Sequence, residues 1–211
     1  MPEEPELVLD QQLINELLHP GSDQRSGVNI VARPSISVLD QISALQNQLR
    51  VIEPKQYYYP GSDLHLTVLE ICSGTESAHA DRVLNEVLAV APAILSQLPS
   101  PILRQASARV DGHAGVVVFQ DSGTLSDLRQ CLSSRLAARG VSVSPRYASA
   151  SAHITFMRFI NQLAGRWEQL VNFSNLHGSW QPDELWVTSG ATWYGMKSRI
   201  KEIGPFKLYY A

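Results

Sequence analysis

The sequence predicts an α+β protein built from two halves around one site. Strand-like segments lie before and after helical segments in both halves of the 211-residue chain. A chain of this length can bury a substantial core, as one large domain or as two intimate lobes. A four-residue pattern, His-apolar-Thr-apolar, occurs at residues 65–68 and again at residues 153–156. Its recurrence predicts one site to which each half contributes.

The first half of the chain alternates between helical and strand patterning. Helices are predicted where apolar residues recur every three to four positions, and strands where apolar and β-branched residues run together between turn signals. Pro20-Gly21 stops the first helix, residues 60–63 form the turn before the first motif, and Pro92 is expected to break or kink a helix. The predicted elements are helices over 7–18, 37–51 and 76–98, and strands over 28–32 and 64–71.

The second half repeats this mixture. Asp111-Gly112 is typical of a hairpin turn, residues 124–127 resemble a capping box with an acid in its last place, and Gly140 is expected to end the helix that follows. The predicted elements are hairpin strands over 103–110 and 115–120, helices over 124–139 and 163–173, and strands over 152–159, 184–188, 191–194 and 206–209.

The two motifs carry groups suited to phosphodiester chemistry. On a strand, residues two positions apart share a face with Cβ atoms roughly 6 to 7 Å apart, so each motif presents an imidazole and a hydroxyl to one surface. Two imidazoles can act as acid and base, and two hydroxyls can donate to an anionic oxygen. Strict alternation extends these faces along each strand: His65, Thr67, Leu69 and Ile71 on the first, and His153, Thr155, Met157 and Phe159, opposite Arg158, on the second.

The paired motifs resemble the signature of the 2H phosphoesterase superfamily, which includes bacterial 2′-5′ RNA ligase-like proteins and 2′,3′-cyclic nucleotide phosphodiesterases. The resemblance implies a bilobal α+β fold of two antiparallel sheets with flanking helices, around a central cleft with pseudo-twofold symmetry. It also implies metal-independent hydrolysis or ligation of phosphodiesters without a cofactor. The residues that it would make catalytic are His65, Thr67, His153 and Thr155.

We expect a single bilobal domain over residues 1–211. The N-terminal motif half covers about residues 20–105, the C-terminal motif half about 106–211, and a helix near residues 7–18 precedes both. No protein partner is indicated, and we expect a monomer. No apolar run reaches the length of a membrane span, and the acidic start is unlike a basic secretory signal, so we expect a cytoplasmic protein.

Charge and aromatic residues suggest where a substrate binds. Residues 1–105 carry 6 basic and 13 acidic side chains, whereas residues 106–211 carry 11 basic and 7 acidic ones, so an anion is expected in the second half. Arg129, Arg135 and Arg139 are expected to solvate the outer face of a helix. The phosphate candidates are Arg146, Arg158, Lys197 and Arg199, and the candidates for stacking on a base are Tyr147, Trp193 and Tyr194.

These observations predict a phosphoesterase that hydrolyses a 2′,3′-cyclic phosphate, or a related 2′-linked phosphodiester, of a nucleotide or RNA end. One histidine would deprotonate water and the other would protonate the departing ribose oxygen. The sequence leaves open which histidine has which role, and whether the enzyme hydrolyses or ligates. A binding module without turnover is the alternative. A metal site is less favoured, because each motif supplies one good ligand and neither Cys72 nor Cys131, expected to be buried thiols, has zinc-like spacing.

Overall fold

The computed structural model describes residues 8–112, 114–145, 151–163, 175–191 and 196–209, and in these residues four helices pack against one antiparallel sheet of nine strands. The predicted α+β class is confirmed. The helices are α1 (Gln11–Leu18), α2 (Ile36–Ile52), α3 (Ser77–Leu95) and α4 (Thr124–Ala137). The strands are β1 (Ser26–Ala32), β2 (Tyr57–Tyr58), β3 (Leu66–Thr75), β4 (Leu103–Asp111), β5 (Ala114–Asp121), β6 (Ala152–Arg158), β7 (Asn175–Trp180), β8 (Glu184–Gly190) and β9 (Ile200–Lys207).

The two motif strands lie side by side in the middle of the sheet. The strand order is β7-β4-β5-β6-β3-β1-β8-β9, with β2 paired to β6. The two motif strands are joined by one register pair, Leu66 opposite Ile154. The two sheets expected from the resemblance are therefore continuous at the motif strands. The last two strands of the chain return to lie beyond β1, and the division of the chain near residue 105 stays a prediction.

Helices α2, α3 and α4 cover the face of the sheet opposite the motif side chains. Leu66 and Ile154 are fully buried in the same apolar core as the inner faces of α2, α3 and α4. On α3 the buried residues recur at helical spacing, which is why this segment forms an amphipathic helix: Ala80, Val83, Leu84, Val87, Ala91, Ile94 and Leu95. The helix runs past Pro92 and ends at Leu95, three residues earlier than predicted.

Each motif strand carries a bulge at the fourth residue of its motif. In β3, Leu69 lies opposite Ile30 and Thr67 lies opposite Val31, so the residue between, Val68, has no partner in the register. In β6, Met157 lies opposite Gly115 and Thr155 opposite Val116, which leaves Phe156 without one. An extra residue turns the strand that follows onto the other face. The expectation that Leu69 and Met157 share the face of the motif residues was therefore wrong.

The carbonyl of each bulge residue is bound by a buried polar side chain from the helix layer. Gln46 of α2 donates from Nε2 to the carbonyls of Phe156, at 2.9 Å, and Tyr59, at 2.8 Å. Arg129 of α4 donates from Nε to the carbonyl of Val68 at 2.8 Å. The carbonyl of Phe156 also accepts from the backbone amide of Tyr59 at 3.1 Å. A buried carbonyl without a donor is costly, so these side chains stabilise the bulges.

Several element boundaries differ from the predicted ones. Gly123, at φ +100°, precedes α4, and the carboxylate of Asp121 accepts from the backbone amides of Leu125 and Ser126. The predicted capping box at 124–127 was therefore wrong. The short strand β2 and the strand β7 were not predicted, and β9 begins at Ile200 rather than at residue 206. Except for Leu163 and Ala191, the predicted helix over 163–173 and strand over 191–194 lie outside the described residues.

The role of Gln46 can be tested by stability. Gln46→Leu leaves the buried carbonyls of Tyr59 and Phe156 without this donor, and we expect the free energy of unfolding to fall by about 2 kcal/mol. Gln48→Leu, on the exposed face of the same helix, is the matched control and should change it by less than about 0.5 kcal/mol. Urea denaturation measures both, and equal effects would contradict the role of Gln46.

Candidate active site

One register pair brings both motifs to the same face of the sheet. Because opposed residues of an antiparallel pair point the same way, the buried side chains of Leu66 and Ile154 define the core face of both strands. Their sequence neighbours point to the other face. This face therefore holds the four motif residues: His65, Thr67, His153 and Thr155. His153 is exposed, and the other three are partly buried.

His65 is held as a neutral imidazole with a defined tautomer. It lies one residue before β3, and its Nδ1 is 2.7 Å from the carbonyl oxygen of Asp63. A carbonyl only accepts, so Nδ1 carries the proton and Nε2 keeps its lone pair. The pKa of His65 is lowered to about 4. Burial is the main cause, and the charges of Arg33 and His153 act in the same direction, against the hydrogen bond and charge of Asp63.

His153 has a different environment. It is exposed, and its Nδ1 is 2.8 Å from the hydroxyl oxygen of Ser151, two residues earlier in the chain. A hydroxyl can accept the Nδ1 proton, which orients the ring with Nε2 directed away from Ser151. The two imidazoles thus lie on one face of the sheet but differ in their exposure to solvent. This difference suits His65 as a base and His153 as an acid.

Arg33 is a candidate site residue that sequence reasoning missed. It follows β1 and bonds through Nε to Glu202 at 2.7 Å and through Nη1 to the carbonyl of Leu64, next to His65, at 3.1 Å. Its Nη2 has no hydrogen-bond partner within the described chain. The sequence signal was weak: Asn29, Val31 and Arg33 share a face at the strand period, but Val31 is apolar, so this face does not read as polar.

Arg158 lies on the same face as the second motif, contrary to the expectation from strict alternation. Ala114 lies opposite Arg158, and Val116 opposite Thr155, so the bulge at Phe156 restores Arg158 to the motif face. Arg158 bonds through Nη1 to a carboxylate oxygen of Asp10 at 3.5 Å. This contact ties the second motif strand to the residue that caps α1.

The aromatic candidates divide between described and undescribed residues. Tyr147, Trp193 and Tyr194 lie outside the described residues and stay predictions, as does Arg146. Trp186 of β8, which was not predicted, lies opposite Val31, which in turn lies opposite Thr67. The partly exposed indole therefore shares the face of the motifs and is a candidate surface for a nucleobase.

The other basic candidates have separate roles. Arg199 forms an ion pair with Glu16 of α1 and donates to the carbonyl of Asp23 at 3.3 Å. Lys197 begins a short 3₁₀-helix. The expectation that Arg129 solvates an outer helix face was wrong, because its side chain is buried beneath the motif strands. Arg139 is exposed as expected, and Arg135 is partly exposed with a bond to Gln97.

Two kinds of feature are absent from the described ranges. No group of three or more His, Cys, Asp or Glu residues there is arranged to hold a metal ion. No helix there is long and apolar enough to cross a bilayer. Cys72 is buried in β3, where burial raises the pKa of its thiol, and Cys131 is partly buried, so only the first fully meets the expectation of a buried thiol.

The fold of the chain is similar to that of several solved structures. The chain is 17% identical to TT0787 of Thermus thermophilus, with a TM-score of 0.64 over 87% of this chain and 98% of that one. It is 16% identical to Escherichia coli LigT in complex with 3′-AMP, with a TM-score of 0.56 over 88% and 99%. A conserved protein of unknown function, ATU0111 from Agrobacterium tumefaciens, is 14% identical with a TM-score of 0.62 over 90% and 93%.

These similarities establish the fold of the chain. Almost the full length of each solved structure is covered, so the chain has the LigT-like fold. The fold expected from the 2H phosphoesterase resemblance is confirmed. No family model and no curated protein sequence matches the chain.

The burial of His65 predicts a pH-dependent stability. Its pKa is lowered from 6.5 to about 4, so between these values the unfolded state binds a proton that the folded state does not. Stability present above pH 6.5 is then lost as the pH falls towards 4. Between pH 7 and pH 5, we expect the free energy of unfolding of the wild type to fall by about 2 kcal/mol more than that of His65→Gln. Urea denaturation at both pH values measures this, and equal losses would contradict it.

Proposed function

We propose that the protein is a 2H-type phosphoesterase that hydrolyses a 2′,3′-cyclic phosphate, or a related 2′-linked phosphodiester, of a nucleotide or RNA end. The observation that carries the proposal is the pairing of Leu66 with Ile154, which puts both His-x-Thr motifs on one face of the sheet. The LigT-like fold and the phosphoesterase among the similar solved structures support the same class of reaction.

In the proposed reaction His65 is the general base. Its Nδ1 proton is engaged by the Asp63 carbonyl, so Nε2 is available to take a proton from water as the water oxygen attacks phosphorus. In the free protein the pKa of His65 is about 4, which keeps the imidazole neutral at neutral pH. A bound phosphate carries negative charge and raises the pKa of a nearby imidazole, which strengthens the base when substrate is present.

His153 is the general acid in this mechanism. Its exposed ring can bind a proton from solvent, and the Ser151 hydroxyl can accept the Nδ1 proton of the imidazolium. The Nε2 proton then passes to the ribose oxygen as its bond to phosphorus breaks, leaving a phosphomonoester. Thr67 and Thr155 donate to the non-bridging oxygens, where charge builds in the transition state.

Arg33 extends the positive side of the proposed site. Its guanidinium is close enough to His65 to lower that pKa, and a phosphate between the two motifs would lie near the same charge. The ion pair with Glu202 fixes the guanidinium through Nε. We assign Arg33 to phosphate binding, beside the earlier candidate Arg158.

A nucleotide fits the site better than a long duplex. The acidic first half of the chain would repel the remainder of a long nucleic acid, whereas a mononucleotide or oligonucleotide end needs only the cleft and one stacking surface. The similar structures of E. coli LigT contain 3′-AMP, ATP and NADP+. A 3′-nucleotide is one possible product of hydrolysing a 2′,3′-cyclic phosphate.

Activity of histidine variants tests the proposal. The assay panel is 2′,3′-cyclic mononucleotides, 2′-5′ linked dinucleotides, cyclic dinucleotides and ADP-ribose cyclic phosphate, each in excess chelator. His65→Ala and His153→Ala should each lose roughly 10² to 10⁴-fold in kcat/KM, and the double variant should lose less than the product of the two. Thr67→Ala and Thr155→Ala should lose less than either histidine variant.

The matched control is His79→Ala, which removes an exposed imidazole that bonds to Arg82 on α3. It should retain wild-type activity. Full activity in His65→Ala would end the two-histidine mechanism. Binding of nucleotides without turnover of any panel member would favour the binding module, and activity abolished by chelator and restored by one divalent ion would favour a metal site.

The pH profile tests the assignment of the base. Because kcat/KM reports the pKa values of the free enzyme, the acidic limb should fall near pH 4 rather than near the ordinary histidine value of 6.5. Arg33→Gln should move this limb to higher pH, since the charge of Arg33 helps to lower the pKa of His65. Arg82→Gln, on the exposed surface of α3, should leave it unchanged. A wild-type limb at or above pH 6.5 would contradict His65 as the base.

A further inference from the structure

Arg129 lies beneath the point where the two motif strands separate. It comes from α4, on the core side of the sheet, and its side chain is only 9% exposed. Its guanidinium donates to three backbone carbonyls: from Nε to Val68 at 2.8 Å, and from Nη2 to Thr67 and Ser151, each at 3.0 Å. Two of these carbonyls belong to the first motif, and the third belongs to the residue whose hydroxyl contacts His153.

The contacts of Arg129 join the two motif strands where backbone hydrogen bonds between them are lacking in the described chain. The motif strands share one register pair, Leu66 with Ile154. Beyond that pair, one chain continues to Thr67 and the other runs back to His153 and Ser151. Here the Nη2 group of Arg129 bonds to the carbonyls of Thr67 and Ser151 and so joins the two segments. A planar guanidinium with five donors can hold several acceptors in a fixed arrangement, which a single ammonium group does less well.

The guanidinium is paired with carbonyls and not with a carboxylate. No carboxylate within the described chain forms an ion pair with Arg129, and burial lowers the pKa of the guanidinium. The charge of Asp121 raises this pKa against the larger effect of burial, but its carboxylate forms no ion pair with the guanidinium within the described chain. A buried cation without an ion pair is costly, and an apolar side chain could fill the same space without this cost. The cost is explained if the three contacts set the geometry of the site.

We propose that Arg129 is a positioning residue that holds the two His-x-Thr motifs in register with each other across the cleft. It does not touch the substrate. By binding Thr67 and Val68 on one strand and Ser151 on the other, it fixes the distance between the two halves at the motifs. This inference rests on the proposed function, because it assigns Arg129 to the same pair of histidines.

The first test observes the arginine and histidine side chains of the wild-type protein by NMR. The Nε proton of Arg129 should exchange slowly with solvent, because it is buried and bonded to Val68. Its signal is identified by its loss in Arg129→Lys. Added inorganic phosphate should shift the ring signals of both His65 and His153. A rapidly exchanging Nε proton in the wild type would overturn the proposal.

The second test compares Arg129→Met and Arg129→Lys with Arg135→Met. Arg135 lies on the same helix and, among the described residues, bonds to the side chain of Gln97, so Arg135→Met is the matched control. In Arg129→Met we expect phosphate to bind at least about 10-fold more weakly and to shift one imidazole instead of both. For a panel substrate that is turned over, kcat should fall about 100-fold with a smaller change in KM, because misplacement by about 1 Å can cost this much. Arg129→Lys should be intermediate.

The outcomes separate this inference from the proposed function. Wild-type phosphate affinity and shifts of both imidazoles in a folded Arg129→Met protein would overturn the positioning role. If phosphate shifts both imidazoles in the wild type and only one in Arg129→Met, while no panel substrate is hydrolysed, the positioning role stands and the hydrolytic function fails. Equal losses in Arg129→Met and Arg135→Met would show a general effect on α4 and would also overturn the proposal.

Discussion

The structure depends on one backbone pairing between the two halves of the sheet. Leu66 and Ile154 are the only register pair that joins β3 to β6 in the described chain, and both side chains are fully buried. Burying each side chain contributes roughly 1.5 to 3 kcal/mol, so the register of these strands is strongly specified. A slip by one residue would turn every motif side chain into the core. The position of the proposed site thus follows from the packing of two apolar residues.

The bulges of the two motif strands are stabilised by different side chains. Each motif strand has a bulge directly after its threonine, and each bulge carbonyl accepts from a side chain of the helix layer. Under the second motif the donor is the neutral amide of Gln46, and under the first it is the guanidinium of Arg129. The amide also donates to Tyr59, whereas the guanidinium bonds to Thr67 and Val68 of one motif strand and to Ser151, directly before the other. The two motifs therefore differ in the helix layer, where Arg129 bonds to both motif segments.

The two histidines differ by environment more than by sequence. His65 is partly buried and held by a backbone carbonyl, while His153 is exposed and next to a hydroxyl. Desolvation disfavours the imidazolium at His65, and nearby positive charge acts in the same direction. In the proposed mechanism, this difference in environment gives His65 the role of base and His153 the role of acid.

The sequence by itself determined the class of fold, most helices and strands, and the two motifs, because apolar periodicity and the His-x-Thr spacing are local properties of the chain. It did not reveal the bulges at Val68 and Phe156, because an extra residue in a strand is visible only against the partner strand. For the same reason strict alternation misplaced Leu69, Met157 and Arg158.

Only the tertiary structure decided what the basic residues do. Arg129 follows a helical pattern that predicts a solvated face, and its burial depends on strands that are 61 and 22 residues away in the chain. Arg33 became a candidate site residue because β1 lies next to β3, and the neutral state of His65 depends on its surroundings in the folded protein. Residue types and their spacing can be read directly from the sequence. Burial, strand register and the distances between charges are set only when segments distant in the chain pack together.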